Sequence, residues 1–196
     1  GWDSESGRTF ILAECGVNHN GQDTLAHRLI EVAADAGADA AKFQMFHTNA
    51  LVVRRGPGAA PLVAYEFTHA IWSGLVDHCR DRKILFLASV FDPGSLDEYL
   101  RFDPAAIKIG SGELHEHGLL RQAAHSGRPV ILSTGMATLS EVIEAATYLP
   151  IGHTALLHCT SAYPCPLGEV NLRAMDALGK LKFPVGYSDH TLGTAV

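Results

Sequence analysis

Residues 129–159 read PVILSTGMATLSEVIEAATYLPIGHTALLHC, and this stretch decides the fold. Val130–Ser133 is apolar up to its last residue, as a strand buried on both faces must be. Ser133-Thr134-Gly135 is a run of small turn residues. Thr138 stands three residues before Glu141, the spacing of a capping box, so a helix starts there and is expected over Leu139–Tyr148. A second apolar strand, Ala155–His158, follows. Strand, helix and strand in this order require parallel strands joined by a right-handed crossover.

The same alternation extends in both directions. Strands are expected at Thr9–Glu14, Ala40–Gln44, Ile84–Ser89, Ala106–Ile109 and Val185–Tyr187, besides the two just read. Helices are expected at Thr24–Asp35, Ala70–Arg82, Ser95–Leu100, Gly118–Ala124 and Leu172–Leu181; in the first, Leu25, Leu29, Val32 and Ala36 keep helical spacing. An open doubly wound sheet and a (β/α) barrel both fit. The strand ends separate them. Glu14, Lys42 and Gln44, Ser89, Lys108, Ser133, His158 and Ser188 place polar groups at nearly every strand end, which is the habit of a barrel. An open sheet concentrates its chemistry at one switch point. Neither GxGxxG nor a Walker A loop is present.

The expected fold is therefore α/β, a (β/α)8 TIM barrel that is incomplete in this chain. Seven strands are legible, and Thr191–Val196 reads as the start of the next helix. Residues 1–8 read as an N-terminal tail and 9–196 as a partial TIM-barrel catalytic domain. With no eighth strand, an uncovered sheet edge and self-association are expected. The irregular stretch Met45–Thr68, with Gly56-Pro57-Gly58 inside it, is a candidate lid.

The chain has 196 residues, 47% hydrophobic and 18% charged, with a formal charge of −6, which suits one globular domain. No basic block favours nucleic acid or an anionic membrane. No apolar run is long enough to span a bilayer. Gly1–Arg8 is polar with no apolar segment behind it, so no signal peptide is expected. Cys15, Cys79, Cys159 and Cys165 form no CxxC pair, and reduced thiols in a cytoplasmic protein are expected.

Two lysines carry the first chemical signal. Lys42 in AAKFQ and Lys108 in AIKIG lie inside apolar strands, where an ammonium is costly unless paired or solvated by a cavity. Each could pair with a local carboxylate, such as Glu14 or Glu113; two together favour an anion site. Gly110-Ser111-Gly112, Ser133-Thr134-Gly135 and Thr160-Ser161 add backbone and hydroxyl donors suited to phosphate or carboxylate. Glu14 could act as a general base or bind sugar hydroxyls. His190, after Tyr187-Ser188-Asp189, could ligate a metal or act as a base, though its spacing alone favours a hydrogen-bonded structural histidine. His158 reads as a satisfied core residue, and His27, His69 and His78 as helix-surface residues.

AECGVNHNG (13–21), GADAAKFQ (37–44), KIGSGEL (108–114), PVILSTGMATLSE (129–141), LLHCTSAYPCP (156–166), VNLRAM (170–175) and PVGYSDHTLG (184–193) together resemble the N-acetylneuraminate synthases, including the legionaminic and pseudaminic acid synthases. GVNHNG is more similar to the sialic and legionaminic branch. The resemblance implies condensation of phosphoenolpyruvate with an N-acetylated hexosamine, or its phosphate, to a nine-carbon 2-keto sugar acid. It implies a divalent metal, Mn2+ or Mg2+, and a homodimer. Lys42, Lys108, Ser111, Ser133 and Ser188 resemble phosphoenolpyruvate ligands, with Ser89 and Ser161 at substrate-binding positions. Glu14 and Tyr163 resemble sugar-binding groups, and Glu14 and His190 catalytic ones. His190 resembles the first of two metal histidines, which reverses the structural reading taken from its spacing.

The sequence also departs from the pattern. Val90 replaces the proline expected before Phe91-Asp92, Cys15 stands where an aliphatic residue is usual, Ser161 where some members have asparagine, and His115-Glu116-His117 replaces an Asn-containing helix start. The second metal histidine, on an eighth strand, and a C-terminal antifreeze-like domain are absent from the sequence. Weak metal binding and slow condensation are therefore expected of the chain alone. A sugar- or anion-binding remnant and a different barrel enzyme, such as a metal aldolase or related 3-deoxy-sugar acid synthase, are the alternatives; the long motifs argue against the latter.

Overall fold

The computed structural model describes residues 7–52 and 62–196. They divide into two compact units, Gly7–Ile107 and Lys108–Val196. In the first, β1 (Leu12–Gly16), β2 (Ala40–Met45) and β3 (Leu85–Val90) are parallel neighbours in that order. Helices α1 (Asp23–Asp35), α2 (Thr48–Leu51), α3 (His69–Asp81) and α4 (Pro93–Leu100) connect and flank them. The second begins within β4 (Ile107–Ile109) and continues α5 (His117–His125), β5 (Val130–Ser133), α6 (Leu139–Ala146), β6 (Thr154–His158), α7 (Ala174–Gly179) and β7 (Val185–Tyr187). Its strands run in the order β4-β5-β6-β7, with β6 parallel to both β5 and β7. Seven strands in sequence order, returned by helices, are the repeat of a (β/α) barrel, here without an eighth strand among the described residues.

Local chemistry explains the boundaries. Thr138 and Glu141 form the expected reciprocal capping box at the start of α6. Asp92 and Ser95 do the same for α4, with Pro93 at the first helical position. All four residues of β5 are buried, as its apolar run requires. The first strand differs from expectation. It starts at Leu12 rather than Thr9, because the Ile11 carbonyl is already occupied by the Asp39 and Ala40 N–H groups while Asp39 accepts from the Ile11 N–H. It also runs on to Gly16, so Glu14 sits within the strand, opposite Lys42, and not at its end. Helix α7 is shorter than expected, since Asn171 adopts a positive φ of 47° and starts a turn ahead of it.

Between β2 and α3 the chain is not irregular throughout. The short α2 is held by Glu66, whose carboxylate accepts from the Thr48 N–H (2.9 Å) and hydroxyl (2.8 Å). Gly56-Pro57-Gly58 and the centre of the expected lid lie outside the described residues. So does most of the expected tail, although Arg8 pairs with Asp39 at 2.7 Å. No helix among the described residues is long and apolar enough to cross a membrane. All four cysteines are free and buried.

An aromatic cluster fills the first unit. Trp72 packs edge-on against Phe43, Phe67 and Phe86, all buried. Tyr99, fully buried, accepts from the Ala88 N–H (3.0 Å) and donates to the Ala106 carbonyl (2.9 Å), so one phenol ties β3 to the approach of β4. Tyr99→Phe removes no carbon but leaves both backbone groups without this partner. An unsatisfied buried group costs about 1–3 kcal/mol, so denaturant unfolding is expected to show a loss of roughly that size. An unchanged midpoint would show that the phenol bonds contribute nothing net.

Candidate functional site

In the first unit the site is built around Lys42, whose side chain is 3% exposed in the middle of β2. Parallel register sets Glu14 of β1 beside it. The ammonium lies 2.8 Å from Glu14 Oε2 and donates to Ser89 Oγ at 2.9 Å. Two of its three N–H directions are thus used. The local carboxylate pairing weighed from sequence is present, and it joins three of the expected site residues. Glu14 is half-exposed, so its other oxygen remains open to solvent or a ligand. Burial, together with the neighbouring Glu14, pushes the Cys15 thiol up to about 11 and keeps it protonated.

A 460 Å³ cavity in this unit was not anticipated. It lies over the ends of β2 and β3 and is lined by His47, Thr48, Asn49, Ala50, Val63, Glu66 and Asp92. None of the residues selected from sequence lines it. Glu66 faces inward only because the chain doubles back onto α2, a contact with no sequence signal.

In the second unit Lys108 is 4% exposed in the middle of β4, and its ammonium donates to the Ile109 carbonyl at 2.8 Å. Ser133 is buried at the end of β5. The hydroxyl of Ser111, half-buried in the loop after β4, accepts from the Gly135 N–H at 2.9 Å and lies 3.2 Å from Cys159 Sγ. Ser161 reaches the same point: a Cβ on Gly135 would stand 2.4 Å from its Oγ. Three of the small-residue loops singled out from sequence therefore meet at Gly135. Glu113, read from sequence only as a partner for lysine, folds its carboxyl over Gly110, where a Cβ would come within 2.6 Å of Oε2. Burial raises its pKa, against a lowering by Lys108.

His190 and Tyr163 form the third group. Their rings lie 4.2 Å apart. His190 Nδ1 is 2.7 Å from the Thr160 carbonyl, and a carbonyl only accepts, so Nδ1 carries a proton and, in the neutral ring, Nε2 holds the lone pair. That is the tautomer of a metal-ligating imidazole with its other nitrogen held by a backbone oxygen. Asp189 does not take this role: its carboxylate accepts from the Thr191 N–H and hydroxyl and from Tyr187. Ser188 is held by its N–H to the His158 carbonyl (2.9 Å). His158 donates Nε2–H to the Val170 carbonyl (2.8 Å), the satisfied core histidine expected from sequence. Among the described residues no group of three His, Cys, Asp or Glu side chains could hold a metal. His190 has the tautomer to serve as one ligand, and no such group of three stands with it among the described residues.

Lysines buried in parallel strands, with hydroxyls at strand ends and on the following loops, are groups suited to holding an anion. The chain belongs to the NeuB family, whose model matches residues 29–196. It is 39% identical to the N,N'-diacetyllegionaminic acid synthase of Campylobacter jejuni over 95% of this chain and 62% of that protein. It is 32% identical to human N-acetylneuraminate-9-phosphate synthase over 95% of this chain and 57% of that protein. The crystal structure of the N-acetylneuraminic acid synthetase of Leptospira borgpetersenii, in complex with citrate, superimposes with a TM-score of 0.86 at 37% identity, covering 94% of this chain and 66% of that one. The chain thus spans about three-fifths of the length of these curated relatives.

The raised pKa of Glu113 fixes the sign of a pH effect. A carboxyl whose folded pKa lies above its unfolded value stabilises the fold below the unfolded pKa and loses that contribution as pH rises through the folded one. Glu113→Gln does not titrate. Its thermal midpoint, relative to the parent protein, is expected to rise from pH 4 toward pH 7. A difference that is flat, or that falls with pH, would show Glu113 held as a carboxylate by Lys108.

Proposed function

We propose that this chain carries the phosphoenolpyruvate-handling part of an enzyme that condenses phosphoenolpyruvate with an N-acetylated hexosamine of the N-acetylmannosamine type. The observation that carries the reading is the pair of ammonium groups buried in apolar strands, Lys42 and Lys108, in a chain of this family. The sugar class is supported by relatives named as legionaminic acid and N-acetylneuraminate-9-phosphate synthases.

The reaction sets the demands. Carbon 3 of the enol forms a bond to the sugar aldehyde carbon. Water adds at carbon 2, the bond from carbon 2 to the phosphate oxygen breaks, and phosphate leaves with a nine-carbon 2-keto acid. Phosphoenolpyruvate brings a carboxylate and a phosphate, and each needs cations and hydroxyl donors away from bulk water. Lys42 with Ser89, and Lys108 with Ser111, Ser133 and Ser188, supply groups of that chemistry. Glu14 and Tyr163 are assigned to sugar hydroxyls, Ser161 to substrate binding, and Glu14 also to proton transfer. A divalent ion, Mn2+ or Mg2+, when bound, polarises the aldehyde. His190, through Nε2, would be one of its ligands. The same resemblance supports a homodimer, and the four unpaired cysteines support a cytoplasmic location.

The test is phosphate release by the chain supplied with phosphoenolpyruvate, N-acetylmannosamine and Mn2+. Slow release that requires both substrates is expected, since one neutral imidazole holds Mn2+ or Mg2+ weakly. His190→Ala is expected to remove the dependence on Mn2+. Binding of phosphoenolpyruvate without release for any N-acetylhexosamine would make the chain an anion-binding module instead.

A further inference from the structure

Gly135 is enclosed by side chains from two other loops. A Cβ there would lie 2.4 Å from Ser161 Oγ, 2.8 Å from Cys159 Sγ and 3.0 Å from Ser111 Oγ. Without one, the Gly135 N–H reaches Ser111 Oγ at 2.9 Å, and Ser111 Oγ reaches Cys159 Sγ at 3.2 Å. Cys159 is 5% exposed, and its contact with Ser111 bridges 48 residues of sequence.

The proton count makes this contact more than packing. A serine hydroxyl has one proton and two lone pairs. One lone pair of Ser111 takes the Gly135 N–H. The contact to sulfur then has two forms. Ser111 O–H donates to Sγ, or Cys159 S–H donates to the second lone pair of Ser111. In the first form the serine proton is committed to the thiol. In the second it is released toward a ligand while the oxygen accepts from both sides. A thiol can take either part; a carbon side chain can take neither. Cys165 differs, since its Sγ donates to the adjacent Pro166 carbonyl (3.4 Å) and bridges no loops.

We propose that Cys159 is a positioning residue for phosphoenolpyruvate binding, acting through Ser111. With no anion present it holds the serine proton; when an oxyanion takes that proton, Cys159 turns its own S–H onto Ser111 Oγ. The oxygen stays fixed between the Gly135 N–H and the thiol in both states. The proposal rests on the reading of Ser111 as a phosphoenolpyruvate ligand.

The experiment is calorimetric titration of phosphoenolpyruvate into the 196-residue chain and its Cys159→Ala, Cys159→Ser, Ser111→Ala and doubly substituted Ser111→Ala/Cys159→Ala variants. Cys159→Ala is expected to weaken binding roughly three- to tenfold, the effect of one hydrogen bond. Cys159→Ser restores a donor and acceptor and is expected to recover most of the loss. In the Ser111→Ala background, Cys159→Ala is expected to change nothing further. The parent chain gives a readout that needs no folded alanine variant: its S–H infrared stretch, in a window free of other protein bands, is expected to shift on adding phosphoenolpyruvate, and the shifting band to be missing in Cys159→Ser. A parent chain that binds phosphoenolpyruvate, with Cys159→Ala binding equally well or with no S–H shift, overturns the positioning role alone. A full Cys159→Ala penalty retained without the Ser111 hydroxyl does the same. A parent chain that binds no phosphoenolpyruvate overturns the reading of Ser111 itself, and the positioning role with it.

Discussion

An ammonium group buried in a parallel strand is the constraint around which the first unit is arranged. Lys42 is 3% exposed, and the strand on either side of it is apolar. Its charge is tolerable only because register brings Glu14 to 2.8 Å on one side and Ser89 to 2.9 Å on the other. That register is in turn fixed by the Asp39 contacts that start β1 and β2 together. Apolar side chains can often replace a buried ion pair without loss of stability. A charge kept in an apolar strand at such a desolvation cost points to ligand chemistry.

The second unit meets the same demand differently. Lys108 donates to a backbone carbonyl beside it, and Glu113, whose pKa burial raises, lies close enough to feel its charge. The loops after β4, β5 and β6 are built from residues with no bulk to spare. Gly135 has no room for a Cβ, and Ser111, Ser161 and Cys159 fill the space that a larger residue would need. Small size brings three loops within hydrogen-bond reach, and the hydroxyls and thiol then supply the directionality.

Much of this was legible in the sequence, for physical reasons that can be traced. Strand and helix positions followed from apolar runs and the Thr138–Glu141 cap, because buried parallel strands leave an uninterrupted signal. The lysines stood out because charge in such a run is expensive. Other features had no local signal. Glu14 was read as the end of β1, because the strand continues through a cysteine and a glycine of low strand propensity. The proton on His190 Nδ1 depends on the Thr160 carbonyl, 30 residues earlier in the chain, and the Ser111–Cys159 contact spans 48. The cavity beside His47 depends on Glu66 folding back onto α2. Long-range contacts between polar side chains leave no periodicity, and motif resemblance names positions without giving their partners.

The most direct test of the central claim, that the buried lysines exist for an anion, is calorimetric titration of phosphoenolpyruvate into the parent chain and its Lys42→Met and Lys108→Met variants, with thermal unfolding recorded alongside. Charge-assisted hydrogen bonds contribute about 1.5–3 kcal/mol each. Each variant is therefore expected to bind at least about tenfold more weakly, with little change in its unfolding midpoint. Unchanged affinity in both variants, with the loss appearing in stability instead, would make the lysines structural and contradict the account.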